Sequence, residues 1–143
     1  MKNKILCATD GSHSADKAID FAVNLAAKTD AHLCFVTVSL VTGESASHSR
    51  FWDSSMLDAA DAQLQGELKV AANKAKMAGL TGVACVALGG HHIANSIVEY
   101  ADKNSYDQII TGSVGRTGVS KLLLGSIAQE VVAKAHCPVT VVR

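Results

Sequence analysis

Short apolar runs alternate with stretches of helical period along the whole of this 143-residue chain, and that alternation restricts the fold more than any single motif. The run Lys4-Ile5-Leu6-Cys7-Ala8 carries apolar residues at successive positions, which predicts a strand buried on both faces. Beyond it Ala15, Ala18, Ile19, Ala22, Val23 and Ala26 recur at helical spacing, predicting a helix to about Thr29 that is capped by Ser12 or Ser14. Leu33 to Val38 predicts a second strand. Residues Leu40 to Ser55 are polar, Ser-rich and without a period, which predicts a mobile excursion. Leu57, Ala60, Leu64, Leu68, Ala71, Ala75 and Ala78 write a long helix over 56–78, interrupted by Gly66 and stopped by Gly79. Val83 to Ala87 predicts a third strand, after which Gly89-Gly90 turns the chain. Ile93, Ile97 and Ala101 mark a helix ending near Asn104, and Gln108 to Thr111 a fourth strand. A glycine-rich segment then leads to a last helix carrying Ile127, Val131, Val132 and Ala135. Pro138 bars its continuation, and Val139 to Val142 close the chain as a fifth strand.

The order βαβαβαβαβ predicts an α/β fold, a doubly wound parallel sheet of five strands with helices on both faces. No linker or internal repeat interrupts it, so residues 1–143 read as one domain, long enough to bury roughly 68–70% of its unfolded surface. Ligands of such sheets bind beyond the carboxyl ends of the strands, where the strand order reverses. The two segments richest in glycine and hydroxyls, Asp10 to Ser14 and Gly112 to Ser126, follow the first and fourth strands and are expected to meet there.

Composition removes several classes of function. Thirteen Lys and Arg balance thirteen Asp and Glu, and aromatic residues are only 4%. Neither a basic face nor an aromatic platform for nucleic acid is expected. The first apolar run is too short for a signal peptide, and no stretch has the apolar length of a spanning helix, so the expected place is the cytoplasm, without membrane insertion. Cys7, Cys34, Cys85 and Cys137 are widely spaced, and three of them fall in predicted strands as small buried hydrophobes. His91 and His92 point about 100° apart at a helix start, with no thiol or carboxylate at a suitable spacing, and no metal site is expected there.

The glycine segment reads G-x2-G-x9-G-S, from Gly112 through Gly115 to Gly125-Ser126. Glycines let backbone amides approach an anion, and the start of the last helix adds open N–H groups and the positive end of its dipole. Ser126 suits a phosphate contact, a helix cap or both. Neither GxxxxGK[ST] nor GxGxxG is present. On spacing alone, an anion cradle and the plain geometry of a loop both remain open. Asp10 likewise suits a ligand or the turn it stands in, and the charges of Arg116 and Lys121 suit phosphate or solvent.

Several stretches together resemble the universal stress protein family: Ala8-Thr9-Asp10-Gly11-Ser12, Tyr106 to Arg116, the G-x2-G-x9-G-S spacing, and Cys137-Pro138-Val139-Thr140-Val141-Val142. The resemblance covers essentially the whole chain and is most specific over the last forty residues. It implies a Rossmann-like sheet of the HUP type, with strand order 3-2-1-4-5, and membership of the branch that binds ATP, with or without Mg2+. It implies that Asp10 and Thr9 lie at the ribose and adenine end and that Val38 offers backbone contacts to adenine. Gly112, Gly115, Gly125 and Ser126 then form the phosphate and ribose cradle, with Arg116 counted beside them. It also implies a homodimer paired through Val139–Val142. The function expected is a nucleotide-binding regulatory module in stress response, with an unidentified protein client and little or no turnover. The competing reading is a slow ATP hydrolase or a nucleotidyl or phosphoryl transferase.

Overall fold

The computed structural model describes residues 2–40, 51–52, 62–114 and 124–143. They form β1 (Lys4–Ala8), α1 (His13–Thr29), β2 (His32–Leu40), β3 (Phe51–Trp52), α2 (Ala62–Met77), β4 (Ala84–Gly90), α3 (Ile93–Lys103), β5 (Gln108–Gly112), α4 (Ser126–Lys134) and β6 (Val139–Val142). Five strands run parallel in the order β4-β2-β1-β5-β6, which is 3-2-1-4-5 when the parallel strands alone are counted. The short β3 lies antiparallel on the outer side of β4. The order reverses at β1: the chain first builds outward through β2 and β4, then returns to lay β5 and β6 on the other side.

Successive side chains of a strand point to opposite faces, and here both faces are apolar. Ile5, Cys7, Leu33, Phe35 and Ile110 pack with the buried stripes of α1 and α2. Leu6, Ala8, Cys34, Val36 and Ile109 pack with those of α3 and α4. Small residues set the spacing of the helices on the sheet: Ala18, Ala22, Ala26, Ala71 and Ala75 are all fully buried. Among the described residues no helix is long and apolar enough to cross a membrane.

Two local expectations change and one alternative is decided. Phe51 and Trp52, read as part of an irregular excursion, pair with Leu88 and Ala87 on the edge of the sheet. Gly89 and Gly90, read as a turn, instead extend β4 and pair with Ser39 and Leu40 of β2. Gly90 answers a close approach, because a Cβ there would lie 2.1 Å from Ser96 Oγ. Of the two serines expected to cap α1, Ser12 is the N-cap, its Oγ accepting from Ala15 N–H at 3.1 Å. The expected start of α2, over 56–61, lies outside the described residues.

Cys7, Cys34 and Cys85 stand in β1, β2 and β4, and all four thiols are free. Burial pushes the Cys85 thiol up to about 11 from an ordinary 9.0, with the neighbouring Cys34 adding to it, and raises Cys7 further still. A proton held more tightly by the native state than by the unfolded chain stabilises the fold below the unfolded value. That contribution is lost as pH rises through the native one. The urea midpoint is therefore expected to fall from pH 9 to 11, with the buried Tyr106, also raised by burial, acting in the same direction. A flat midpoint across that window would contradict this account of the strands.

Candidate functional site

The site is built where β1 stops. Thr9, buried, carries the β1–β2 ladder one residue past the strand, its N–H donating to the Val36 carbonyl at 2.9 Å. The chain then turns: Ser12 N–H donates to Asp10 Oδ1 at 2.9 Å, and Ser12 caps α1. The turn role of Asp10 is thus real. A carboxylate can accept about four hydrogen bonds, so the turn bond and a ligand role are compatible.

β2 continues to Leu40, well past Val36, the partner of Ala8. Val36 turns its carbonyl toward β1. Polar edges alternate with period two along a strand, so Val38 turns its N–H and C=O to the same side, beyond the point where β1 has given way to the Asp10 turn.

On the far side of β1, β5 ends at Gly112. Ser113 N–H is shared between the Val142 carbonyl at 3.0 Å and Ser14 Oγ at 2.9 Å, and Ser113 O accepts from Gly125 N–H at 2.7 Å. That last bond draws the two ends of the glycine segment together at the mouth of the sheet. Gly125 is the N-cap of α4, with no side-chain cap bond. The first N–H to find a carbonyl within the helix is that of Gln129, donating to Gly125 O at 3.0 Å. Ser126, Ile127 and Ala128 therefore start the helix, where N–H groups have no carbonyl partner within the helix and the dipole is positive. Ser126 stands inside the helix as its first residue and Gly125 holds the N-cap position, so of the two jobs open to Ser126 the cap falls away.

A cavity of about 150 Å³ joins these parts. Thr9, Asp10, Val38, Gly112, Gly125 and Ser126 all line it. Gly115 and Arg116 lie outside the described residues, as does Lys121. The sequence reading did not place Thr37, Ser113, Ile93 and Ile97 on the same wall. The two isoleucines belong to the apolar stripe of α3, which reads as core and here also faces the cavity. Behind the wall, Thr37 Oγ1 donates to Glu67 Oε2 at 3.3 Å. Glu67 also closes over Gly11, with its Oε1 2.8 Å from where a Cβ would stand. A second carboxylate near the Asp10 turn was not expected from the sequence. Its signal was an acid beside Leu68 on the inward stripe of α2. Among the described residues no group of three or more His, Cys, Asp or Glu side chains is arranged to hold a metal ion.

Residues 1–143 match the profile of the universal stress protein family. The chain belongs to that family. A universal stress protein of Methanocaldococcus jannaschii is 35% identical, the alignment covering 98% of this chain and 81% of that one. One from Bacillus subtilis is 31% identical over the whole of both chains. The crystal structure of a universal stress protein in complex with cAMP superposes with a TM-score of 0.76 at 26% identity, covering 99% of this chain and 97% of the other. This universal stress protein thus shares its fold with a solved member of the family.

Proposed function

We propose that this chain is a cytoplasmic, homodimeric regulatory module of the stress response, one domain over residues 1–143, that binds ATP in the cavity beyond β1, β2 and β5. The observation that carries the reading is the convergence of three recognition elements on one cavity: the Asp10 carboxylate, the polar edge of Val38 and the start of α4, which has no side-chain cap bond. Ribose hydroxyls donate to a carboxylate. The edge of adenine carries a donor and an acceptor, which an adjacent C=O and N–H complement. Phosphates suit open amides at the positive end of a helix. Ile93 and Ile97 give the apolar wall on which a purine face rests. The family member solved with cAMP supports an adenine nucleotide as the class of ligand. In this reading Thr9, Gly112, Gly115, Arg116, Gly125 and Ser126 complete the contact set, with or without Mg2+ at the phosphates.

The edge of β6 supports the dimer. β6 pairs with β5 on one side, and among the described residues no strand covers its other side. An unpaired edge rich in β-branched residues is a template for a second copy, and Val139 to Val142 would supply it. The bond from Ser113 N–H to the Val142 carbonyl puts the start of the glycine segment in direct contact with that strand. Nucleotide occupancy would thereby reach the surface that a protein client meets.

Native mass spectrometry of gently purified protein tests the reading. The expected species is a dimer carrying adenine nucleotide, with little release of phosphate on incubation. A monomer that stays empty after exposure to ATP would overturn the proposal. Rapid, metal-dependent turnover would move the chain to the class of hydrolases or transferases instead.

A further inference from the structure

Ser14 lies outside the contact set proposed for the nucleotide, yet it holds the glycine segment at its root. It is the second residue of α1, is only 7% exposed, and its partners are 99 and 100 positions away in sequence. Its Oγ accepts from Ser113 N–H at 2.9 Å and from Val114 N–H at 3.3 Å, and Ser113 Oγ stands 3.5 Å away. A hydroxyl oxygen has two acceptor lone pairs. Both are engaged here by the first two amides beyond Gly112.

An anion nest is made of successive amides that point into one concavity. The Ser113 and Val114 amides point instead at Ser14, behind the wall of the cavity, and Ser113 N–H is shared further with the Val142 carbonyl. The direction in which the chain leaves β5 is therefore set by a side chain of α1. Among the described residues, the open donors that remain for an anion beyond these two are Ser126, Ile127 and Ala128 at the start of α4.

We infer that Ser14 is the positioning residue of the nucleotide site. It fixes the Ser113 and Val114 amides where the chain leaves β5 along the cavity, and it does so without touching the ligand. The inference rests on the nucleotide reading for its functional half only; the fixing of the two amides stands apart from it.

Amide hydrogen exchange and nucleotide titration of Ser14→Ala, with Ser14→Thr as the variant that keeps the hydroxyl, separate the two halves. In nucleotide-free Ser14→Ala the Val114 amide is expected to exchange about tenfold faster than in the wild type. Ser113, which retains Val142, is expected to change less. ATP affinity is expected to fall about fivefold to tenfold, and Ser14→Thr to recover most of both effects. Unchanged exchange at Val114 would overturn the inference whatever ATP does. Faster exchange with undiminished affinity would overturn its functional half. If Ser14→Ala does not fold, wild-type exchange still decides: Val114 must be protected before any nucleotide is added, and an unprotected Val114 contradicts the assignment. A wild type that binds no adenine nucleotide would sink the proposed function, while the Val114 result would still judge the fixing of the two amides.

Discussion

Gly112→Val is expected to melt well below the wild type and to take up no adenine nucleotide. A Cβ on residue 112 would lie 2.6 Å from Ser14 Oγ and 2.9 Å from the Ser14 backbone carbon and oxygen. The hydroxyl could rotate away, but the backbone could not. It belongs to the first turn of α1, and that turn is held by the Ser12 cap and by the bond from Ser12 N–H to Asp10. To make room, α1 or the end of β5 must shift, and both carry the site. Overpacking of this kind costs about 1–3 kcal/mol, and more for the branched side chain than for alanine. The melting temperature of Gly112→Ala should fall by several degrees, at about 2–4 °C per kcal/mol for a chain near this length. Glycine at this position therefore answers the approach of a helix, whatever it does for phosphate. If Gly112→Ala melted like the wild type and lost only nucleotide binding, the packing explanation would fail and the cradle alone would require the glycine.

The largest loss of stability is expected from Phe35→Ala. Phe35 is fully buried in β2, a central strand, and heads the fully buried side chains by volume. It packs in the cluster that α1 and α2 form over one face, among Ile19, Leu68, Ala71 and Ala75. These neighbours are small or held by their own helices, so the space left by the ring cannot close. Truncation of a buried Phe costs about 3–5 kcal/mol, a large part of the roughly 5–15 kcal/mol that holds a domain. Thermal and urea unfolding followed by circular dichroism read it directly. Phe21→Ala serves as the control, because Phe21 is 42% exposed on α1 and should change stability by about 0.5 kcal/mol or less. A loss below about 1 kcal/mol at residue 35 would show that the helices collapse onto the sheet more readily than their packing suggests.

The parallel sheet was legible because its strands announce burial on both faces. Ile5, Leu6, Cys7 and Ala8 are apolar in succession, and the structure sends Ile5 and Cys7 to one helix layer and Leu6 and Ala8 to the other. What escaped was set by contacts distant in sequence. Two aromatic residues in a polar stretch carry no period, so β3 could not be read from Phe51 and Trp52. Gly89-Gly90 resembles a turn until Ser96 is known to press on it. At the site, the rule that ligands gather beyond strand ends, joined to the family resemblance, brought out six residues that line one cavity. Ser14, Thr37 and Glu67 were not legible, because their roles depend on partners 30 to 100 residues away. Local spacing has no access to such pairs.

Isothermal titration of ATP into the purified protein, with and without magnesium, measures the central claim most directly. Saturable heat is expected at one nucleotide per chain, much weakened in Asp10→Ala and much smaller for a pyrimidine nucleotide than for ATP. No heat with ATP, ADP, AMP or cAMP under either condition would contradict the assignment of the cavity to an adenine nucleotide.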